Sequence, residues 1–125
     1  MNKKILVVDD DPTSLRSVEA MLVSAGYKVQ TSVHAENIEQ RVNDFAPDLI
    51  VMDLIMPNVD GNQAVKKLKN NSALKGVPVI FLTALKMRDD ERGLEFEVSV
   101  ENKSYRTLTK PIDARILITE IERLI

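Results

Sequence analysis

The stretch that decides the fold lies near the start of the chain and reads Ile5-Leu6-Val7-Val8-Asp9-Asp10-Asp11-Pro12. Its four apolar residues are typical of a strand that is buried on both faces of a sheet. Asp11 and Pro12 then indicate the start of a helix, with aspartate as the N-cap and proline at the first helical position. A buried strand therefore leads into a helix, and three carboxylates lie at their junction.

The same alternation of apolar strand and amphipathic helix continues along the chain. Two further unbroken apolar runs, 49–52 and 79–82, end at Asp53 and Thr83, and a shorter extended stretch ends at Lys110. Helical patterns cover 12–25, 38–45, 64–68 and 113–125. Unbroken apolar strands that alternate with helices predict an α/β fold with a parallel sheet covered on both faces. We expect one domain over residues 1–125.

Composition and charge exclude several classes of protein. The formal net charge is −2, so no strong basic field favours nucleic acid or anionic lipid. The chain has no cysteine, which excludes disulfides, thiolate metal sites and cysteine nucleophiles. Its N-terminal apolar run is too short for a signal peptide or a membrane span. We therefore expect a soluble, cytoplasmic protein that binds neither nucleic acid nor membrane directly.

Polar residues follow the apolar strands at their carboxyl ends, which is where parallel sheets bind their ligands. The carboxyl ends of the strands carry Asp9 and Asp10, Asp53, Thr83 and Lys110, and such ends share one edge of the sheet. Three neighbouring carboxylates repel each other unless a cation lies among them, and oxygen ligands without histidine or cysteine favour Mg²⁺. An aspartate in such a site can act as a nucleophile toward a phosphoryl group, with lysine and a hydroxyl stabilising the transferred charge.

Four segments of the chain resemble the signature segments of response-regulator receiver domains of bacterial two-component systems. They are residues 5–12, 48–61, 78–84 and 108–111, and they occur in the order typical of that family. The resemblance implies a flavodoxin-like, doubly wound sheet of five parallel strands in the order 2-1-3-4-5. It also implies a phosphorylation-dependent signalling switch that assists only its own phosphorylation and dephosphorylation and is otherwise no enzyme.

The resemblance assigns a role to each candidate residue. Asp53 is the implied phosphoacceptor, with a sensor histidine kinase or a phosphotransfer protein as the donor. The implied cofactor is Mg²⁺, bound by Asp53, by Asp10 directly, by Asp9 mainly through water, and by the backbone carbonyl of Ile55. Thr83 is expected to donate a hydrogen bond to the phosphoryl group and Lys110 to pair with it. The Lys110–Pro111 peptide is expected to be cis.

The chain departs from the family pattern between Thr83 and Lys110, which are separated by 26 residues, more than is usual there. Thr107 stands where the family commonly has an aromatic residue three positions before the lysine. From 94 to 101, apolar and polar residues alternate with period two, which favours extended structure or a hairpin in an atypical region of about 86–104. The alternative is an ordinary fourth helix, because the apolar residues also form i,i+4 pairs. An exposed strand edge favours a homodimer through 94–109, and the last helix offers a second interface.

Two other functions are alternatives to the switch. A phosphohydrolase with an aspartyl intermediate typically has a second acid two residues after the nucleophile, but Ile55 stands there. A receiver that only binds partners is disfavoured because all five polar site residues are intact. The sequence identifies neither the kinase nor the output, and it leaves open whether the domain stands alone or was separated from an effector domain.

Overall fold

The structure, a computed structural model, describes residues 3–33, 38–53, 76–83, 96–100, 103–110 and 112–125. Its strands are β1 (Lys4–Val8), β2 (Lys28–Ser32), β3 (Leu49–Asp53), β4 (Val79–Thr83), β5 (Phe96–Val100) and β6 (Lys103–Thr109). They form one sheet in the order β2-β1-β3-β4-β6-β5. The first five strands of that order are parallel, which confirms the predicted order 2-1-3-4-5. At the far edge, β5 adds an antiparallel strand.

The described helices are α1 (Pro12–Ser24), α2 (Ile38–Phe45) and α3 (Ala114–Leu124). Asp11 caps α1 by accepting a hydrogen bond from the backbone N–H of Thr13, and Asp113 caps α3 in the same way. After α1 the chain turns at Gly26, whose φ of 95° lies in the region that favours glycine. These boundaries agree with the sequence patterns, whereas the helix predicted around 64–68 lies outside the described residues.

The central strands β1, β3 and β4 are buried on both faces, as their unbroken apolar runs predicted. One face packs against α1 and α3 and contributes Ile5, Val7, Leu49, Val51, Ile80, Leu82 and Leu108 to the core. The alternate residues of the same strands, such as Leu6, Ile50 and Phe81, are also fully buried on the other face. Since neither face of the central strands meets water, only their ends are available for binding.

The region that departs from the family pattern forms a hairpin. Strand β5 pairs with β6 from Phe96 opposite Thr107 to Val100 opposite Lys103. The prediction of extended structure is confirmed for 96–100 and 103–109, and the alternative of a regular fourth helix is wrong at 96–100. Residues 86–95, 101 and 102 lie outside the described residues. Thr107, fully buried, pairs with Phe81 of β4 on its other side, so the usual aromatic position is interior to the sheet.

In the described part of the chain, no helix combines the length and apolar content that crossing a membrane requires.

Candidate functional site

Two neighbouring parallel strands bring the acidic residues together. Val8 of β1 is the register partner of Met52 of β3, so the residues that follow, Asp9 and Asp53, lie side by side at the carboxyl edge of the sheet. Carboxylate oxygens of Asp9, Asp10 and Asp53 all lie within 4.8 Å of one another. Asp9 is fully buried and Asp53 is 6% exposed, whereas Asp10 is exposed. The cluster therefore has a buried floor and one carboxylate open to solvent.

Lys110 supplies a positive charge to this cluster. Its Nζ lies 2.8 Å from Asp9 Oδ2 and 3.5 Å from Asp53 Oδ2. The lysine follows β6, and its backbone N–H donates a 2.8 Å hydrogen bond to the backbone oxygen of Thr83 at the end of β4. Because β6 is held to β4 up to this point, the ammonium is directed into the acidic cluster rather than into solvent.

The ion pairs change the protonation behaviour of the lysine. Burial by itself lowers the pKa of Lys110, but the contact with Asp9 and the charges of Asp53 and Asp9 raise it by more. The net effect is a pKa above the ordinary lysine value of 10.5. Lys110 is therefore a permanent cation at neutral pH, and the site combines three carboxylates with one ammonium.

The oxygens of Asp9 differ in how they are satisfied. Oδ1 accepts a 3.0 Å hydrogen bond from the backbone N–H of Asp11. Oδ2 is buried and lies 2.8 Å from Nζ of Lys110, which is the distance of an ion pair. Among the described residues, however, Oδ2 has no partner in hydrogen-bond geometry. A buried carboxylate oxygen with spare bonding capacity, next to two more carboxylates, fits a hard cation such as Mg²⁺. The donor set contains only oxygen, which excludes soft metals as the preferred occupants.

The structure brings five of the predicted site residues to one edge of the sheet. Thr83 is 1% exposed at the end of β4, where it is the register partner of Thr109. Ile55 and Pro111 lie outside the described residues, so the predicted carbonyl ligand and the predicted cis peptide bond stay predictions.

A cavity of about 250 Å³ adjoins the site and was not predicted from the sequence. It lies between α1 and the segment after β6, and it is lined by Thr13, Ser14, Ser17, Val18, Met21, Lys110 and Ile112. The signal for it was present, because hydroxyl residues at positions 13, 14 and 17 share one face of a helix. Thr13 and Ser17 on that face are exposed, and the face borders the site lysine.

Comparisons with known proteins agree with this fold. The family model described as "Response regulator receiver domain" matches residues 5–122. The chain is 35% identical over 125 residues to response regulator PleD of Caulobacter vibrioides, covering 99% of this chain and 26% of PleD. It is 30% identical over 122 residues to protein PilH of Pseudomonas aeruginosa, covering 98% of this chain and 97% of PilH. Chemotaxis protein CheY4 of Vibrio cholerae has a structure with a TM-score of 0.83, 25% identity and full coverage of both chains.

The chain therefore belongs to the response regulator receiver domain family. It spans about a quarter of the length of PleD and nearly all of PilH.

Proposed function

We propose that the protein is a signalling switch that accepts a phosphoryl group on Asp53. The observation that carries the proposal is the position of this carboxylate, which is 6% exposed, lies beside the buried carboxylate of Asp9 and is 3.5 Å from the ammonium of Lys110. In the proposed step, a carboxylate oxygen of Asp53 attacks phosphorus and an acyl phosphate forms. The bond from phosphorus to the donor's histidine nitrogen breaks, and that nitrogen keeps the electron pair.

The acidic cluster is the proposed magnesium site. Asp10 is the best candidate for a direct ligand, because its carboxylate is exposed. Asp9 Oδ2 keeps spare bonding capacity, but the ammonium of Lys110 lies 2.8 Å away and repels a cation that approaches it directly. Asp9 would then contribute mainly through water, and Asp53 and the carbonyl of Ile55 would complete the protein ligands. Bound Mg²⁺ supplies positive charge beside the phosphoryl oxygens.

Thr83 and Lys110 are the proposed partners of the transferred group. Lys110 already contacts Asp53, and its ammonium needs only a small movement to pair with oxygens attached to that carboxylate. Thr83 ends the neighbouring strand and shares a backbone hydrogen bond with Lys110. This bond links the two proposed partners directly at the ends of β4 and β6. This linkage supports a switch that does not depend on an aromatic residue at position 107.

The proposed donor is a sensor histidine kinase or a phosphotransfer protein. Phosphoryl transfer to an almost buried carboxylate requires a donor that presents its phosphoryl group at the open edge of the sheet, where Asp10 is exposed. The cavity beside Lys110 adjoins this edge and offers hydroxyl groups of α1 to such a partner. The same proposal places the protein in the cytoplasm.

The proposed phosphoacceptor is tested with a small phosphodonor and Mg²⁺, followed by mass spectrometry. Wild-type protein should gain one acid-labile phosphoryl group on Asp53, and labelling should fail without Mg²⁺. The variant Asp53→Asn should not be labelled, because its amide is a poor nucleophile. The matched control is Asp11→Asn, a nearby exposed aspartate whose helix-capping role asparagine preserves; it should be labelled as well as wild type.

The outcome that would refute the proposal is undiminished labelling of Asp53→Asn with an unchanged circular dichroism spectrum. A phosphohydrolase would instead turn over small phosphoesters repeatedly. Release of more than one phosphate per protein from such esters, lost in Asp53→Asn, would favour that class over the switch.

A further inference from the structure

Strand β5 forms the outer edge of the sheet. The direction of the backbone groups of β6 shows which residues of β5 have backbone N–H and C=O groups that point away from β6. The N–H of Lys110 points to β4, and backbone groups of a strand alternate in direction. The backbone N–H and C=O groups of residues 103, 105 and 107 therefore point to β5. Their register partners Val100, Val98 and Phe96 exchange bonds with β6. It follows that the N–H and C=O groups of Glu97 and Ser99 point outward.

The number of residues that connect β5 to β6 agrees with this assignment. Val100 and Lys103 are register partners with two residues between them, and in such close hairpins this pair is the hydrogen-bonded one. Among the described residues, β5 pairs with β6 only. It thus presents two residues with outward donors and acceptors, in a strand of five, to any further strand.

The sequence of β5 is self-complementary about its centre. Two copies of β5 can pair in antiparallel fashion through the outward groups of residues 97 and 99. A two-fold axis between the copies can then pass through residue 97, 98 or 99, which gives three registers. Centring on Val98 pairs all five residues of both copies and forms four backbone hydrogen bonds, two in each exchange between Glu97 and Ser99. Centring on residue 97 places Glu97 opposite itself, so that like charges oppose each other, and centring on residue 99 leaves Phe96 and Glu97 without a partner in β5 of the other copy.

We propose that β5 is a self-association surface whose occupant is β5 of a second copy of this chain, antiparallel and centred on Val98. The two six-stranded sheets then form one continuous sheet across a two-fold axis. Such an interface is isologous, so the same residues serve both copies and the assembly closes as a dimer. The surface lies at the opposite side of β6 from the acidic site, and its formation does not require phosphorylation.

The register is tested by single cysteines, since the natural chain has none that would interfere. In the proposed register, Val98 lies opposite Val98 of the second copy in a non-hydrogen-bonded pair. The Cα atoms of such a pair are about 4.5 Å apart, which is within reach of a disulfide. Val98→Cys should therefore form a disulfide-linked dimer under mild oxidation. The controls Glu97→Cys and Ser99→Cys place like positions roughly 8 Å apart, and they should crosslink several-fold more slowly.

The interface is tested by Ser99→Pro with analytical ultracentrifugation from micromolar to millimolar concentration. Proline removes an outward N–H without removing a bond to β6, and edge strands tolerate it for that reason. The proposal expects a concentration-dependent dimer in wild type that Ser99→Pro loses. Wild type that stays monomeric, or a dimer that persists in a folded Ser99→Pro variant, overturns the interface. Faster crosslinking at position 97 or 99 overturns the register, and this readout stands even where the proline variant fails to fold.

Discussion

Replacement of Lys110 by methionine removes the ammonium that contacts both Asp9 and Asp53 while keeping a side chain of similar length. At separations of 2.8 and 3.5 Å and an effective dielectric constant of about 20, each contact contributes roughly 5 to 6 kcal/mol before desolvation is subtracted. Asp9 is fully buried and the lysine side chain is only 15% exposed. Loss of one partner from such a pair costs about 3–5 kcal/mol, because the remaining charge is left uncompensated.

The assay is urea unfolding of wild type, Lys110→Met and the control Lys28→Met, each without Mg²⁺. Lys28 is exposed on β2, so its loss should change stability by less than about 0.5 kcal/mol. Adding Mg²⁺ should restore part of the Lys110→Met loss, since a cation bound only by the folded state stabilises it. A loss below about 1 kcal/mol, the range of an exposed ion pair, would refute the reasoning that this contact is buried and central.

Three further predictions concern the metal, pH and a helix cap. Isothermal titration should show that Asp10→Ala weakens Mg²⁺ binding more than Asp9→Ala, because Asp10 is the exposed carboxylate; equal affinities would contradict the assignment. The raised pKa of Lys110 means that its ion pairs stabilise the fold fully below pH 10.5 and are lost as pH rises through the higher folded-state value. Wild type should therefore lose stability above about pH 10.5 more steeply than Lys110→Met in parallel urea titrations. Asp113→Ala should lower the free energy of unfolding by about 1 kcal/mol, because Asp113 accepts hydrogen bonds from two N–H groups of α3; an unchanged unfolding midpoint would count against this cap.

The central sheet and the acidic cluster could be predicted because their signals are local and strong. Unbroken apolar runs such as 5–8 and 49–52 suit only strands covered on both faces, and the polar residues that follow must then lie at one edge. Asp11 and Pro12 mark the start of α1 by chemistry that needs no tertiary contact. The grouping of Asp9, Asp10 and Asp53 follows from these features, whereas the strand order 2-1-3-4-5 was implied by the resemblance to receiver domains.

Other features depend on geometry that a sequence pattern does not contain. Period two predicted extended structure or a hairpin, but not the register of Phe96 opposite Thr107, which depends on β6 following β5 after two residues while the other edge of β6 is taken by β4. The closer approach of Lys110 to Asp9 than to Asp53 reflects differences below 1 Å. Glu120 is 4% exposed on α3, although charged helix residues normally face solvent; it forms a 3.0 Å ion pair with Arg123.

The hairpin also changes what kind of strand carries the site lysine. In a five-stranded sheet of this order the last parallel strand is an edge, open to amide exchange and to invading chains. Here β6 is bonded on both sides, to β4 and to β5, so its amides between 103 and 109 should exchange as slowly as those of the central strands. The exposed edge has moved to a strand that contributes no residue to the acidic cluster. Mutations can therefore remodel this edge without altering the residues of the acidic cluster.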